Sequence, residues 1–313
     1  MASQTEKGKA FEYACLKALY ERLSQDQVVE VIQDSSFFKA QKFYETLTSE
    51  QANMNLAAQA SVRILSRLEP RLLHSDDVPL LLTIQSDDKG QGGDVRDVVC
   101  LRRQHKWEIG ISCKHNHTAL KHPRLSATID FGLNWFNQPC SQTYFDEITP
   151  IFEELSALKQ QGTFWRDLEQ KEARFYIPIL QSFEDELKRL YQANPSQISR
   201  GLVAYMLGRN DFYKVIADTK RKTTEIQGFN LQGTLNQSAG KNKPATNVPI
   251  TKHPETILDI KWQKNNKLIV TCDGGWVISL RIHSAKSTVE PSLKFDAQLI
   301  GMPSSLMKLH ELW

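Results

Sequence analysis

The stretch DDKGQGGDVRDVVCLRRQHKWEIGISCKHNH, residues 87–117, holds the pattern on which the fold turns. A Gly-rich run precedes a short apolar strand from Val98 to Leu101, a polar turn around Gln104 to Lys106, and a second strand from Trp107 to Lys114. Apolar runs bounded by turn-forming residues are the mark of a β-hairpin. Successive strand side chains point to opposite faces, so Glu108, Gly110, Ser112 and Lys114 share one face while Trp107, Ile109, Ile111 and Cys113 share the other. With the turn centred near Gln104 to His105, Lys114 lies opposite a residue between Asp94 and Asp97. A carboxylate and a lysine therefore converge at the open end of the hairpin. Magnesium needs one or two carboxylates and keeps its waters. A nearby lysine can orient or deprotonate an attacking water and stabilise charge building on phosphate oxygens. The pairing predicts a metal-dependent phosphodiesterase site, although acidic residues and lysines also end many strands simply as solvated groups.

Outward from the hairpin, the first 75 residues read as helical. Phe11, Ala14, Cys15, Ala18, Leu19 and Leu23 recur at three- and four-residue spacing, as do Leu56, Ala57, Ala60, Ile64, Leu65 and Leu68. Pro70 closes the second of these helices, and Pro79 opens VPLLLTIQ, a buried strand. LSATIDFGLNWF and the stretch Phe145 to Leu158 read as helices, ARFYIPIL as a core strand, and SFEDELKRLYQANP as a helix ended by Pro195. Beyond it the texture changes. KLIVTCDGGWVISLRI, with Gly274-Gly275 between apolar runs, predicts a hairpin, and Gln227 to Asn247 a long polar loop or hairpin tip. The expected division is 1–195, a helical part plus a catalytic core, and 196–313, a partly β recognition region.

The composition is that of an ordinary globular chain, with 313 residues, 40% hydrophobic and 24% charged. No window approaches eighteen consecutive apolar residues, which excludes a membrane helix, and the N-terminus shows no secretory pattern. Five widely spaced cysteines without a CxxC pair predict reduced thiols and a cytoplasmic location. The net charge of +3 points to no partner, but it is unevenly spread. Arg102 to Arg124 carries six basic residues and one acidic, Phe145 to Asn194 ten acidic and six basic, and Pro195 to Ile250 eight basic and three acidic. Two basic blocks flanking an acidic one make a polyanion the natural partner to test.

Several other chemistries lack their residues. His115-Asn116-His117 spells the letters of the HNH nucleases, but three consecutive residues cannot supply a base, a positioner and a ligand around one metal. Cys113 and His115 have no second Cys/His pair for zinc. No His–acid partner supports a cysteine nucleophile, and GQGGD lacks the ending of a phosphate-binding Walker loop.

The runs GGDVRDVVCLR and WEIGISCKHNHTALKHPRLS, followed by IDFGLNWF, PCSQTYF and PIFEEL, resemble the HaeIII-type restriction endonucleases. The resemblance is closest over residues 85 to 160. That family is assigned to the PD-(D/E)XK nucleases, and its known members cut the palindrome GGCC. The resemblance implies an α/β fold with a PD-(D/E)XK-type mixed β-sheet core flanked by helices, a helical N-terminal part and a β-rich C-terminal region. It implies a Mg²⁺-dependent type II enzyme that hydrolyses double-stranded DNA, leaving 5′-phosphate and 3′-hydroxyl ends. A cognate methyltransferase would act on the same site.

Carried over residue by residue, the resemblance makes Asp97 the first metal-binding carboxylate, with Asp94 its rival, and Lys114 the catalytic lysine. The acidic residue usual two positions before the lysine is Ser112 here, an SxK arrangement in which a downstream helix supplies the missing carboxylate. Asp130 is the candidate, with Glu50 and Glu69 as alternatives. Glu108 lies roughly 13 Å back along the strand, too far to share a metal. His115, His117, Lys121, His122 and Arg124 are expected on the DNA backbone. Base readers are sought in the second basic block, which holds Arg200, Arg209, Lys220, Arg221 and Lys222, and in the amide-rich stretch with Asn230, Gln232 and Asn236. A palindromic site matches a homodimer with one active site per strand. Two competing readings are a non-catalytic DNA-binding regulator and a nuclease acting on RNA or damaged DNA.

Overall fold

The computed structural model describes residues 3–75, 77–86, 93–116 and 121–313. The chain divides into two units, and neither is continuous in sequence. The first comprises Met1–Thr118, Gly208–Thr251 and Ser305–Trp313; the second comprises Ala119–Leu207 and Lys252–Ser304. The boundary expected near residue 195 thus falls inside the second unit, between two of its helices.

Helix α1 (Gln4–Leu23) starts at a capping box, with Ser3 and Glu6 satisfying each other's backbone N–H groups. It buries the stripe Phe11, Ala14, Cys15, Ala18 and Leu19, as its spacing predicts. Strand β1 (Val29–Val31), helix α2 (Ser35–Thr46) and helix α3 (Thr48–Leu68) follow, with α2 capped by the Asp34 carboxylate. Pro70 both ends α3 and starts the single turn α4 (Pro70–Leu73), because a proline is tolerated in a first helical turn. Next come β2 (Leu80–Ile84), β3 (Val98–Arg102) and β4 (Trp107–His115); Lys106 adopts a left-handed φ of 48° in the turn that joins the last two. After the two-residue strand β5 (Arg124–Leu125) the chain forms α5 (Phe131–Phe136), α6 (Gln142–Gln160), α7 (Ile177–Ala193) and α8 (Pro195–Leu207). The strands that follow are β6 (Phe212–Asp218), β7 (Thr223–Phe229), β8 (Ile257–Lys264), β9 (Lys267–Cys272), β10 (Val277–His283), β11 (Leu293–Gly301) and β12 (Met307–Leu312).

The first unit is built on a seven-stranded sheet of order β1-β2-β3-β4-β6-β7-β12. It is mixed: β1–β2 and β4–β6 pair in parallel, and the other neighbours are antiparallel. Helices α1 to α3 cover one face, burying Phe11, Leu19 and Leu65 with Ile109, Ile111, Cys113 and Val215. This is the apolar face of the central hairpin. The second unit pairs an antiparallel sheet, β5-β11-β10-β9-β8, with α5 to α8. Phe183 packs between Phe131 and Phe295, with ring centroids 4.5 and 4.9 Å apart. Gly274 and Gly275 make the β9–β10 turn at φ of 65° and 88°, as the Gly-Gly pair predicts.

ARFYIPIL is not a strand. Glu172–Tyr176 forms a π-helical turn that runs into α7, whose first turn contains Pro178. A short apolar run cannot distinguish a buried strand from a buried helix. Nor does Pro195 introduce β structure: it begins α8.

Candidate active site

Strands β3 and β4 pair from Val98 opposite Ile111 to Arg102 opposite Trp107. The ladder ends where Asp97 donates its backbone N–H to the Ile111 carbonyl at 2.8 Å. Two residues further along β4, the Cys113 N–H donates to the side chain of Asp97 instead, at 2.6 Å to Oδ2. The carboxylate takes the place of a backbone acceptor at the point where the strands part. Lys114 Nζ stands 3.5 Å from the same oxygen and Ser112 Oγ 3.3 Å from it. Among the described residues no donor reaches the other oxygen, Oδ1.

Asp94 is differently engaged. Both its oxygens are held by the Arg96 guanidinium, Oδ1 by Nε and Oδ2 by Nη2, each at 2.8 Å, and Gln85 Nε2 adds a bond of 3.0 Å to Oδ2. Burial opposes its ionisation, but these bonds outweigh burial and hold the carboxyl below its ordinary range. Glu108 takes the remaining arm of Arg96, Nη1, at 2.6 Å.

A third acidic residue belongs to this place and was not anticipated. Glu12, on α1, is only 5% exposed and pairs with Lys9 at 3.0 Å. Burial, and then the charge of Asp97, pushes its carboxyl up to about 8, while Lys9 and Lys114 pull the other way. The charges of two carboxylates on different elements thus oppose each other, and Lys9 and Lys114 offset that at Glu12. Glu12 lies on the periodic helix that carries the buried stripe, and the only signal for it was an acidic residue beside that stripe. A second lysine, Lys214, lies next to Ser112 on β6 and is 3% exposed. Burial, and then the charge of Lys114, lowers it to about 7. Among the described residues no group of three His, Cys, Asp or Glu side chains is arranged to hold a metal. Asp97 and Glu12 are two carboxylates of the kind that bind a cation which retains its waters.

The model of the HaeIII restriction endonuclease family matches residues 8–303. The type II restriction enzyme HaeIII of Haemophilus aegyptius is 42% identical over 311 residues, covering 98% of each chain. The chain belongs to the HaeIII restriction endonuclease family. It is a type II restriction endonuclease, a hydrolase that cleaves phosphodiester bonds in DNA, and the reading as a non-catalytic regulator falls away. No solved structure matches the chain.

Within this family member, the other expected site residues belong to both units. Asp130 belongs to the second unit, where its carboxylate caps α5 by accepting from Leu133 N at 2.8 Å and also accepts from Cys140 N. Both of its oxygens are thus engaged by backbone N–H groups. Glu50 pairs with Lys7, and Glu69 is fully buried against Tyr213 Oη and Asn236 N. His115 is 2% exposed and faces the apolar side of the sheet, with its ring 5.8 Å from that of Phe11. It is a core residue and not a backbone contact, because residues 113 and 115 share the face opposite Lys114. His117 lies outside the described residues.

Lys121, His122 and Arg124 are in the second unit. Lys121 Nζ lies 3.8 Å over the Tyr205 ring, His122 is exposed, and Arg124 donates to Ser292. Of the amide candidates, Asn230 is buried and tied to the Val248 carbonyl and the Leu235 N–H. Asn236 sits at φ 62° and donates to the carbonyls of Leu68 and Thr246. Both brace the polar loop and have no side chain to spare for a base. Gln232 donates its backbone N–H to Asp211, which leaves its amide for solvent-side contacts. Arg221 is exposed beside Asp218, and Lys222 makes the β6–β7 turn at φ 51°.

Proposed function

We propose that the enzyme cuts both strands of the palindrome GGCC in a Mg²⁺-dependent reaction carried out by a PD-(D/E)XK-type core. The observation that carries this reading is the meeting of Asp97, Ser112 and Lys114 at the parting of β3 and β4. The usual acidic residue at position 112 is a serine, and Glu12 on α1 takes its part. Asp97 and Glu12 would hold the ion: among the described residues no donor reaches Oδ1 of Asp97, and the charges of the two carboxylates oppose each other unless a cation offsets them. Magnesium, when bound, supplies a Lewis acid at the scissile phosphate.

The protein's own groups do the rest. Cys113 N–H fixes the Asp97 carboxylate, so no reorganisation is needed as the phosphate arrives. Lys114 orients the attacking water through a compact ammonium with three donors and remains beside the phosphate oxygens as their charge grows. Ser112 supports Asp97 through its hydroxyl. Exposed basic side chains such as Arg221 neutralise DNA phosphates, which adds affinity without sequence choice. A homodimer would place one such site on each strand of the palindrome, and a methyltransferase of the same specificity would protect the host site.

The test is digestion of a sequenced plasmid with Mg²⁺, with all fragment ends mapped, repeated for Lys114→Ala and Asp97→Ala. Ends confined to GGCC and lost in both variants support the reading. Full cutting by either variant would remove the assigned site, and scattered ends would remove the assigned sequence.

A further inference from the structure

The segment that delivers Asp97 is clamped by one side chain. Arg96 lies flat across Gly110 on β4: a Cβ on that glycine would sit 1.9 Å from Arg96 Cδ and 2.5 Å from Cγ. Only a glycine leaves this space. The guanidinium then grips Asp94 with two parallel bonds and Glu108 with a third, all five donors of the fork being suited to such bidentate contacts. The start of the segment is pinned as well. The Gly93 carbonyl accepts from Arg209 N at 3.2 Å, and a Cβ at Gly208 would lie 2.4 Å from that carbonyl oxygen. Residues 93 to 96 are therefore fixed at both ends before the chain reaches Asp97.

We propose that Arg96 is a positioning residue for the metal-binding carboxylate: spanning Asp94, Gly110 and Glu108, it sets the register in which Asp97 meets Cys113 N–H. The proposal rests on the reading of Asp97 as a metal ligand. It gives Asp94 the role of an anchor for the guanidinium and not of a rival ligand. It also explains why a carboxylate three residues from Asp97 can be acidic, close and yet unavailable. Partners that orient metal ligands cost about 10–100-fold in metal affinity when removed, and a misplacement of about 1 Å costs about 100-fold in rate.

The experiment measures Mn²⁺ binding by electron paramagnetic resonance on DNA-free enzyme, with steady-state cleavage and thermal unfolding alongside. Arg96→Met, which keeps the apolar bulk over Gly110, should bind Mn²⁺ about 10–100-fold more weakly. Its kcat should fall about 100-fold while KM for DNA stays within about threefold. Arg96→Lys should not restore the wild-type values, because an ammonium cannot span both carboxylates. Asp97→Asn is the reference. If it binds Mn²⁺ like the wild type, the metal reading is wrong. If it loses Mn²⁺ while Arg96→Met keeps wild-type affinity and kcat, the positioning role is wrong. Should Arg96→Met not fold, Glu108→Gln, at a half-exposed position, removes one arm alone. Mn²⁺ binding weakened about threefold supports the clamp, and unchanged binding overturns it.

Discussion

Cys113 donates its backbone N–H to Asp97 at 2.6 Å, so the strand that carries Lys114 also holds the carboxylate that faces it. The separation of lysine and carboxylate thereby depends on how the segment entering β3 is held against β4. A site of this kind tolerates change in its surroundings better than change in the local register of β4.

Replacing Lys114 by Ala or Asp97 by Asn should lower kcat by about 10²–10³-fold, the usual cost of a charged group aimed at the reacting centre. Gel-shift affinity for a GGCC duplex measured without metal should change by less than about threefold, since neither side chain is needed to neutralise DNA. Loss of binding in step with loss of cutting would contradict the assigned roles.

Glu12→Gln separates activity from stability. It should reduce cleavage and Mn²⁺ affinity by about 10–100-fold. The metal-free protein should melt no lower than wild type at pH 8, because the buried carboxyl is held up to about 8 by its surroundings and is a burden once ionised. A clear fall in Tm would mean that Glu12 is a structural ion-pair partner of Lys9.

Glu69 gives the protein a pH-dependent stability unrelated to cleavage. Burial raises its carboxyl from 4.5 to about 7, with Asn236 N–H and Tyr213 Oη opposing. Between those values the folded state holds a proton that the unfolded chain has released, so stability falls as pH rises through the window and levels off above it. The full effect is on the order of 3 kcal/mol. Urea unfolding between pH 4.5 and 8 should show this slope in the wild type and a flatter one in Glu69→Gln.

Asp130→Ala should cost about 1 kcal/mol through the lost cap of α5 and leave Mn²⁺ binding unchanged. Calorimetry and resonance titration on one preparation check both halves. Weakened Mn²⁺ binding would restore Asp130 to the ligand set.

Arg221→Ala should weaken DNA binding and reduce the salt slope of log K by about one, with fragment ends unchanged. Asn236→Ala should instead lower Tm and leave the salt slope alone, because its amide is committed to the carbonyls of Leu68 and Thr246. Cutting outside GGCC by Asn236→Ala would make it a base reader after all.

The hairpin could be read from residues 98 to 114 because alternation alone assigns each side chain to a face, and a carboxylate between Asp94 and Asp97 then falls near Lys114, Asp97 being singled out by the family resemblance. The buried stripe of α1 was equally plain. What periodicity does not carry is contact between distant elements. Glu12 comes under the charge of Asp97 only through the packing of α1 on the sheet. That Asp130 caps a helix was not legible, because acidic residues at helix starts and acidic ligands share one residue type, and the cap depends on the positions of Leu133 N and Cys140 N. His115 drew attention as a basic residue beside the lysine, although the same alternation that placed Lys114 turns it inward. The run ARFYIPIL misled because its composition satisfies both strand and helix, and Pro178 reads as a break before it reads as a helix start.

The adjacent parallel strands β4 and β6 are separated in the chain by the whole of Ala119–Leu207. A ribosome adds about 5–20 residues per second, so for several seconds after Lys114 is synthesised the strand that flanks it does not yet exist. The edge strand β12 comes later still. Interrupted translation therefore releases a fragment that carries the lysine and both carboxylates on an incomplete sheet. The order of the strands therefore delays the sheet around Lys114 until the late segments β6, β7 and β12 have been made.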